Sequence, residues 1–265
     1  MDVLVVAASA VAGIVAGDLA EPLADRLPGH RALDRPWWRC PHCAEPATGS
    51  GLVPLVRVAA RRLPCASCSR PHPHPWRALV QPLITGLVTG ALAVRFGAHV
   101  DLFAFDLVGV ALVAIGIIDV ETRLVPNRLV RPAIALGAVL FVLAAWADHA
   151  WTALEYAGIA GAAGYAVFYA VHFVYPQGMG RGDVRLALLV GGATGWLGWR
   201  AAVVAFFLSF VSGSVFGVAI LVATGSGRKT QIAFAPYLVA GALVMMVFSG
   251  SILRALHPVL YPGGS

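Results

Sequence analysis

Apolar residues cluster into eight runs, near residues 3–20, 79–98, 102–118, 132–147, 151–174, 184–199, 201–224 and 231–249. The runs do not alternate with polar positions as a half-buried strand would. A helix needs about 20 residues to cross the hydrocarbon core of a bilayer, so the pattern predicts an all-α polytopic membrane protein with about eight transmembrane helices. The shorter runs, of about 17 residues, leave little room for tilt. The tightest boundary is "WLGWR" (196–200), a turn whose two tryptophans suit a membrane interface. One stretch breaks the pattern: residues 21–78 are polar and proline-rich, a small domain inserted between the first and second helices. The predicted organisation is a first transmembrane helix (1–20), the inserted domain (21–78), seven further transmembrane helices (79–250) and an extracytoplasmic tail (251–265).

Composition agrees. Apolar residues make up 59% of the chain and charged residues 12%, whereas a soluble domain is about a quarter charged. The net charge of +6 takes its meaning from its placement. Sixteen of the nineteen basic residues lie in the inserted domain or in loops of the same side, leaving Arg95, Arg200 and Arg254 for the other. That bias predicts both termini outside and the basic loops in the cytoplasm. It also accounts for the charge through the lipid bilayer, with no nucleic-acid partner expected. The first run has no basic residues before it, and Asp18, Glu21, Pro22 and Asp25 follow it in place of a small-residue cleavage site. It reads as a retained helix, not a signal peptide.

All four cysteines lie in the inserted domain, as Cys40-Pro-His-Cys43 and Cys65-Ala-Ser-Cys68, with 21 residues between the two knuckles. Four thiolates at this spacing suit a tetrahedral structural zinc site. A domain this small has little core of its own, so a metal would supply much of its folding free energy. Cytoplasmic placement argues against disulfides. His42, His72 and His74 are close by, but four cysteines already complete the coordination.

Two acids stand out from the thirteen. Asp119 ends an apolar run in "GIIDVETRLVPN", and Asp183 begins one in "YPQGMGRGDVRL". By the topology above they share one face and one depth. Acids at a membrane boundary are costly and suggest function. For Asp183 the helix N-terminus offers a purely structural reason, whereas Asp119 sits at the disfavoured C-terminal end. Two carboxylates sharing a site cannot both ionise cheaply, so one keeps a proton. The ionised member can then take a proton from water while the protonated one polarises a peptide carbonyl. Gly178, Gly180 and Gly182 carry no Cβ and let the backbone approach an extended substrate. Glu121, the neighbour rivalling Asp119, is expected farther into the loop and solvated. Asp106 and Glu155 are read as packing acids.

On these residues the chain resembles the type IV prepilin peptidases, membrane aspartyl proteases of the Gly-x-Gly-Asp type. The resemblance rests on the paired C-x-x-C motifs, on "IDVETRLVPN", on "GMGRGD" and on "IAFAPYLVAGAL" (232–243). It implies cleavage of a basic leader from prepilin or pseudopilin precursors at the cytoplasmic face of a bacterial inner membrane. Asp119 and Asp183 match the catalytic pair, and Cys40, Cys43, Cys65 and Cys68 match the zinc ligands. Many members then methylate the new N-terminus, so S-adenosylmethionine is a cofactor here only if that second activity is retained. Gln81 stands where the family usually has a glutamate. Two other readings are a catalytically silent assembly protein that docks through its zinc domain, and a proton- or cation-coupled transporter.

Overall fold

A computed structural model describes residues 3–26, 68–69, 76–177, 179–224 and 234–260. Among them the chain forms eight α-helices: α1 (Val3–Arg26), α2 (Arg77–Phe96), α3 (Asp101–Thr122), α4 (Asn127–Asp148), α5 (Trp151–Val174), α6 (Arg181–Trp196), α7 (Trp199–Thr224) and α8 (Ala235–Leu260). Each apolar run becomes one helix. Seven of the eight are long and apolar enough to cross a membrane, the exception being α6, and the chain is a multi-pass membrane protein.

The sixteen residues of α6 span about 24 Å at 1.5 Å per residue, short of the ~30 Å hydrocarbon core. Its side chains from Val184 to Trp196 are mostly buried. The eighth expected span is therefore a short helix enclosed by its neighbours, and protein rather than lipid covers most of its apolar surface.

Short connections, such as Leu197–Gly198 between α6 and α7, make consecutive helices antiparallel neighbours. Glycines set how closely two of the pairs approach, as is usual where membrane helices must meet backbone to backbone. A Cβ on Gly17 of α1 would stand 2.9 Å from Cα of Pro82 on α2. On α6, a Cβ at Gly195 would stand 2.6 Å from the Tyr156 carbonyl oxygen of α5. At the end away from Asp119, rings tie α2, α3, α4 and α6 together: Phe96 stacks on Phe105 at 4.4 Å, and Phe141 lies 5.3 Å from Phe105 and 4.9 Å from Trp196.

Helix ends differ from the apolar runs where polar residues continue a helix. α3 runs past Asp119 to Thr122 and closes on Arg123 in the left-handed conformation (φ 54°), with the Arg123 N–H donating to the Asp119 carbonyl at 2.8 Å. α4 begins at Asn127, immediately after Pro126. α8 continues to Leu260, so residues 251–260, expected in the tail, are helical.

Candidate active site

Asp119 and Asp183 come from different helices and meet at one end of the bundle. Asp119 lies one turn before the end of α3 and is 3% exposed. Asp183 is the third residue of α6 and half-buried. The two carboxylates are within electrostatic reach of each other, and the Ala235 backbone N–H donates to Asp119. Ala235 is the first residue of α8, where the opening N–H groups have no partners within the helix. Oδ2 of Asp119 is buried with no hydrogen-bond partner among the described residues.

Asp183 is held by its own helix start. Gly180 precedes α6; its N–H donates to Asp183 Oδ2 at 3.1 Å, and its carbonyl accepts from the Asp183 N–H at 3.1 Å. Gly180 has φ −73°, so backbone conformation does not demand glycine there. A Cβ there would stand 3.2 Å from the carboxylate oxygen, which would have to give by a few tenths of an ångström. At Gly182 the constraint is stricter: a Cβ would lie 2.6 Å from Cβ of Val125 and 2.9 Å from its carbonyl oxygen. Val125 belongs to the α3–α4 connection just beyond Asp119, so this contact brings the two aspartate segments together.

Side chains brace the same segment. His172, in the last turn of α5, places Nδ1 2.7 Å from the Met179 carbonyl oxygen. Arg185 of α6 donates to the Asn127 side chain at the start of α4. Phe234, just before α8, packs against Phe168 at 5.9 Å and Phe210 at 5.3 Å, which seats the N-terminus that meets Asp119. Neither these braces nor the Ala235 contact is legible in the sequence. Pro126 and the "FAP" turn mark the helix starts, but not which carboxylate each meets.

Three expectations change. Glu121 lies within α3 and pairs with Arg77 of α2, whose Nε donates to Oε1 at 3.2 Å; it is not solvated, because the helix continues past it and packs against α2. Asp106 is only half satisfied as a packing acid: Ser9 Oγ donates to its Oδ2 at 2.6 Å, and Oδ1 has no partner among the described residues. Glu155 lies on an exposed part of α5. Gly178, Cys40, Cys43 and Cys65 lie outside the described residues; Cys68 is described and half-buried.

Known proteins are similar to this chain in sequence. A family model described as "Type IV leader peptidase family" matches residues 107–218, and one described as "Bacterial Peptidase A24 N-terminal domain" matches residues 11–96. A protein of Aeromonas hydrophila called "Prepilin leader peptidase/N-methyltransferase" is 30% identical, over 81% of this chain and 72% of its own length. The chain belongs to the type IV leader peptidase family. Two more relatives carry the same printed name. The Stutzerimonas stutzeri protein is 30% identical over 82% of this chain and 73% of its own length. The Bacillus subtilis protein is 26% identical over 91% of this chain and 93% of its own length. No solved structure matches the chain. Both aspartates lie in the segment matched by the peptidase family model, and Ala235, whose N–H meets Asp119, begins the next helix beyond it, α8.

Proposed function

We propose that this leader peptidase is a membrane aspartyl endopeptidase that removes the basic leader from prepilin or pseudopilin precursors, with Asp119 and Asp183 as its catalytic pair. The observation that carries the reading is a buried oxygen on Asp119, without a hydrogen-bond partner among the described residues, on a carboxylate within electrostatic reach of Asp183. In this reading the pair shares one proton, since two interacting carboxylates in a desolvated site do not both ionise cheaply. The ionised member takes a proton from water as the oxygen attacks the scissile carbonyl, and the protonated member polarises that carbonyl. Proton return to the leaving nitrogen then completes hydrolysis. Gly180 keeps a side chain away from the Asp183 carboxylate, and Gly182 lets the α3–α4 connection pack against the start of α6.

The site would face the cytoplasm, with the basic leader held there and its apolar stem in the bilayer. Arg123, Arg128, Arg181 and Arg185 flank the same end of the bundle as the two aspartates, in keeping with the orientation preferred by basic loops. Methylation of the new N-terminus, the second activity in the relatives' printed names, belongs to this proposal with S-adenosylmethionine as donor. A structural zinc held by Cys40, Cys43, Cys65 and Cys68 is proposed on the spacing of the two C-x-x-C knuckles.

Purified Asp119→Asn and Asp183→Asn proteins should each lose prepilin cleavage by about 10²- to 10⁴-fold. Cleavage at the wild-type rate by either one would remove that aspartate from the catalytic pair.

A further inference from the structure

Each aspartate of the pair accepts a backbone N–H from a helix start: Ala235 meets Asp119, and Gly180 meets Asp183 Oδ2 at 3.1 Å. The two starts differ in what holds the donating peptide. At α8 the carbonyl of that peptide is that of Phe234, and it accepts the N–H groups of Tyr237 and Leu238 at 3.1 and 3.3 Å. The helix itself therefore fixes the peptide plane. At α6 the donating peptide lies one residue farther out. Gly180 caps the helix, and its own carbonyl takes the first helical bond, from the Asp183 N–H. The carbonyl that shares a peptide with the Gly180 N–H belongs to Met179, which precedes the cap and has no place in the helical ladder.

A peptide group is planar, so its C=O and N–H point opposite ways and turn together. Glycine on the N–H side makes that turning easy. His172 grips the other side, with Nδ1 2.7 Å from the Met179 carbonyl oxygen. A carbonyl only accepts, so Nδ1 carries the proton. A chain of hydrogen bonds thus runs from the His172 ring through the Met179–Gly180 peptide to the Asp183 carboxylate, and bonds in such a chain strengthen one another. His172 lies one turn after Phe168 on α5, so the two share a face. Phe168 packs against Phe234 at 5.9 Å. One face of α5 therefore backs both helix starts, by a ring contact behind Asp119 and by a hydrogen bond behind Asp183.

We propose that His172 is a positioning residue for cleavage, holding the Met179–Gly180 peptide so that its N–H stays on the Asp183 carboxylate. This rests on the peptidase reading above and adds to it a residue that acts through the peptide and not on the substrate. Without the ring N–H the peptide is free to turn, and Asp183 loses the donor that fixes its orientation. Substrate binding is untouched by that change, so the effect falls on kcat and not on KM.

The test measures prepilin cleavage and hydrogen exchange at the Gly180 amide in full-length protein in nanodiscs. His172→Phe keeps a ring without the donor, and His172→Leu lacks both. His172→Asn places an amide N–H as far along the side chain as Nδ1. The Phe and Leu proteins should each lower kcat by about five- to tenfold with KM unchanged, and Gly180 exchange should quicken by a similar factor. His172→Asn should return both to within about twofold of wild type. The Leu protein carries the comparison if the Phe protein does not fold. A wild-type kcat without the donor, an Asn protein no better than the Phe or Leu protein, or a change confined to KM overturns the proposal. The exchange measurement separates it from the peptidase reading. No cleavage by wild type sinks that reading, whereas equal Gly180 exchange with and without the donor sinks the hold of His172 alone.

Discussion

Asp119 lies near the C-terminus of its own helix, where a negative charge is disfavoured, yet its carboxylate meets the N-terminus of another helix through Ala235. The sequence shows the first half of that arrangement and hides the second, because the contact joins residues more than a hundred positions apart. Asp183 is more legible: the glycines before it and the apolar run after it already describe a helix start. Glu121 misleads for the opposite reason, since its partner Arg77 lies on a different helix far back in the chain. At Gly182 the packing makes a sharp demand. A Cβ there would press on Val125 at 2.6 Å, and such overpacking costs about 1–3 kcal/mol. Gly182→Ala should lower the unfolding midpoint and reduce kcat by up to about 10²-fold as the two carboxylates are displaced. An alanine protein with unchanged kcat and unchanged midpoint would mean the contact does not hold the site.

The helices themselves are readable from apolar runs, while their ends are not, because polar residues such as Asp119 and Asn127 belong to helices whose turns are sealed by Arg123 and begun after Pro126. Nor does apolarity distinguish a span from an enclosed helix. α6 is short, covered on most sides, and pressed against α5 through Gly191 and Gly195. That fit sets the position of Asp183, which rides on its first turn. Gly195 sits at the opposite end of α6, far from either carboxylate. Gly195→Leu should nevertheless force α6 away from α5 and reduce both thermal stability and cleavage. Wild-type stability in that protein would show that the two helices do not depend on close backbone contact.

Across the whole molecule, helices from distant parts of the sequence converge on one end: α3 and α6 bring the carboxylates, α8 meets Asp119, and α5 and α4 brace the segment around Asp183. The segment between α1 and α2 carries the four cysteines, whose spacing predicts one zinc ion per chain, measurable by metal analysis. Cys40→Ser or Cys65→Ser should lower that content toward zero, and full retention in both would rule out the four-thiolate site. Everything proposed for cleavage depends on the pairing of Asp119 with Asp183. Its most direct measurement is prepilin processing by wild type, Asp119→Asn and Asp183→Asn proteins in proteoliposomes, with the product N-terminus read by mass. The expected result is a leader cleaved by wild type and intact precursor with either variant. Normal cleavage after replacing either aspartate would contradict the pairing.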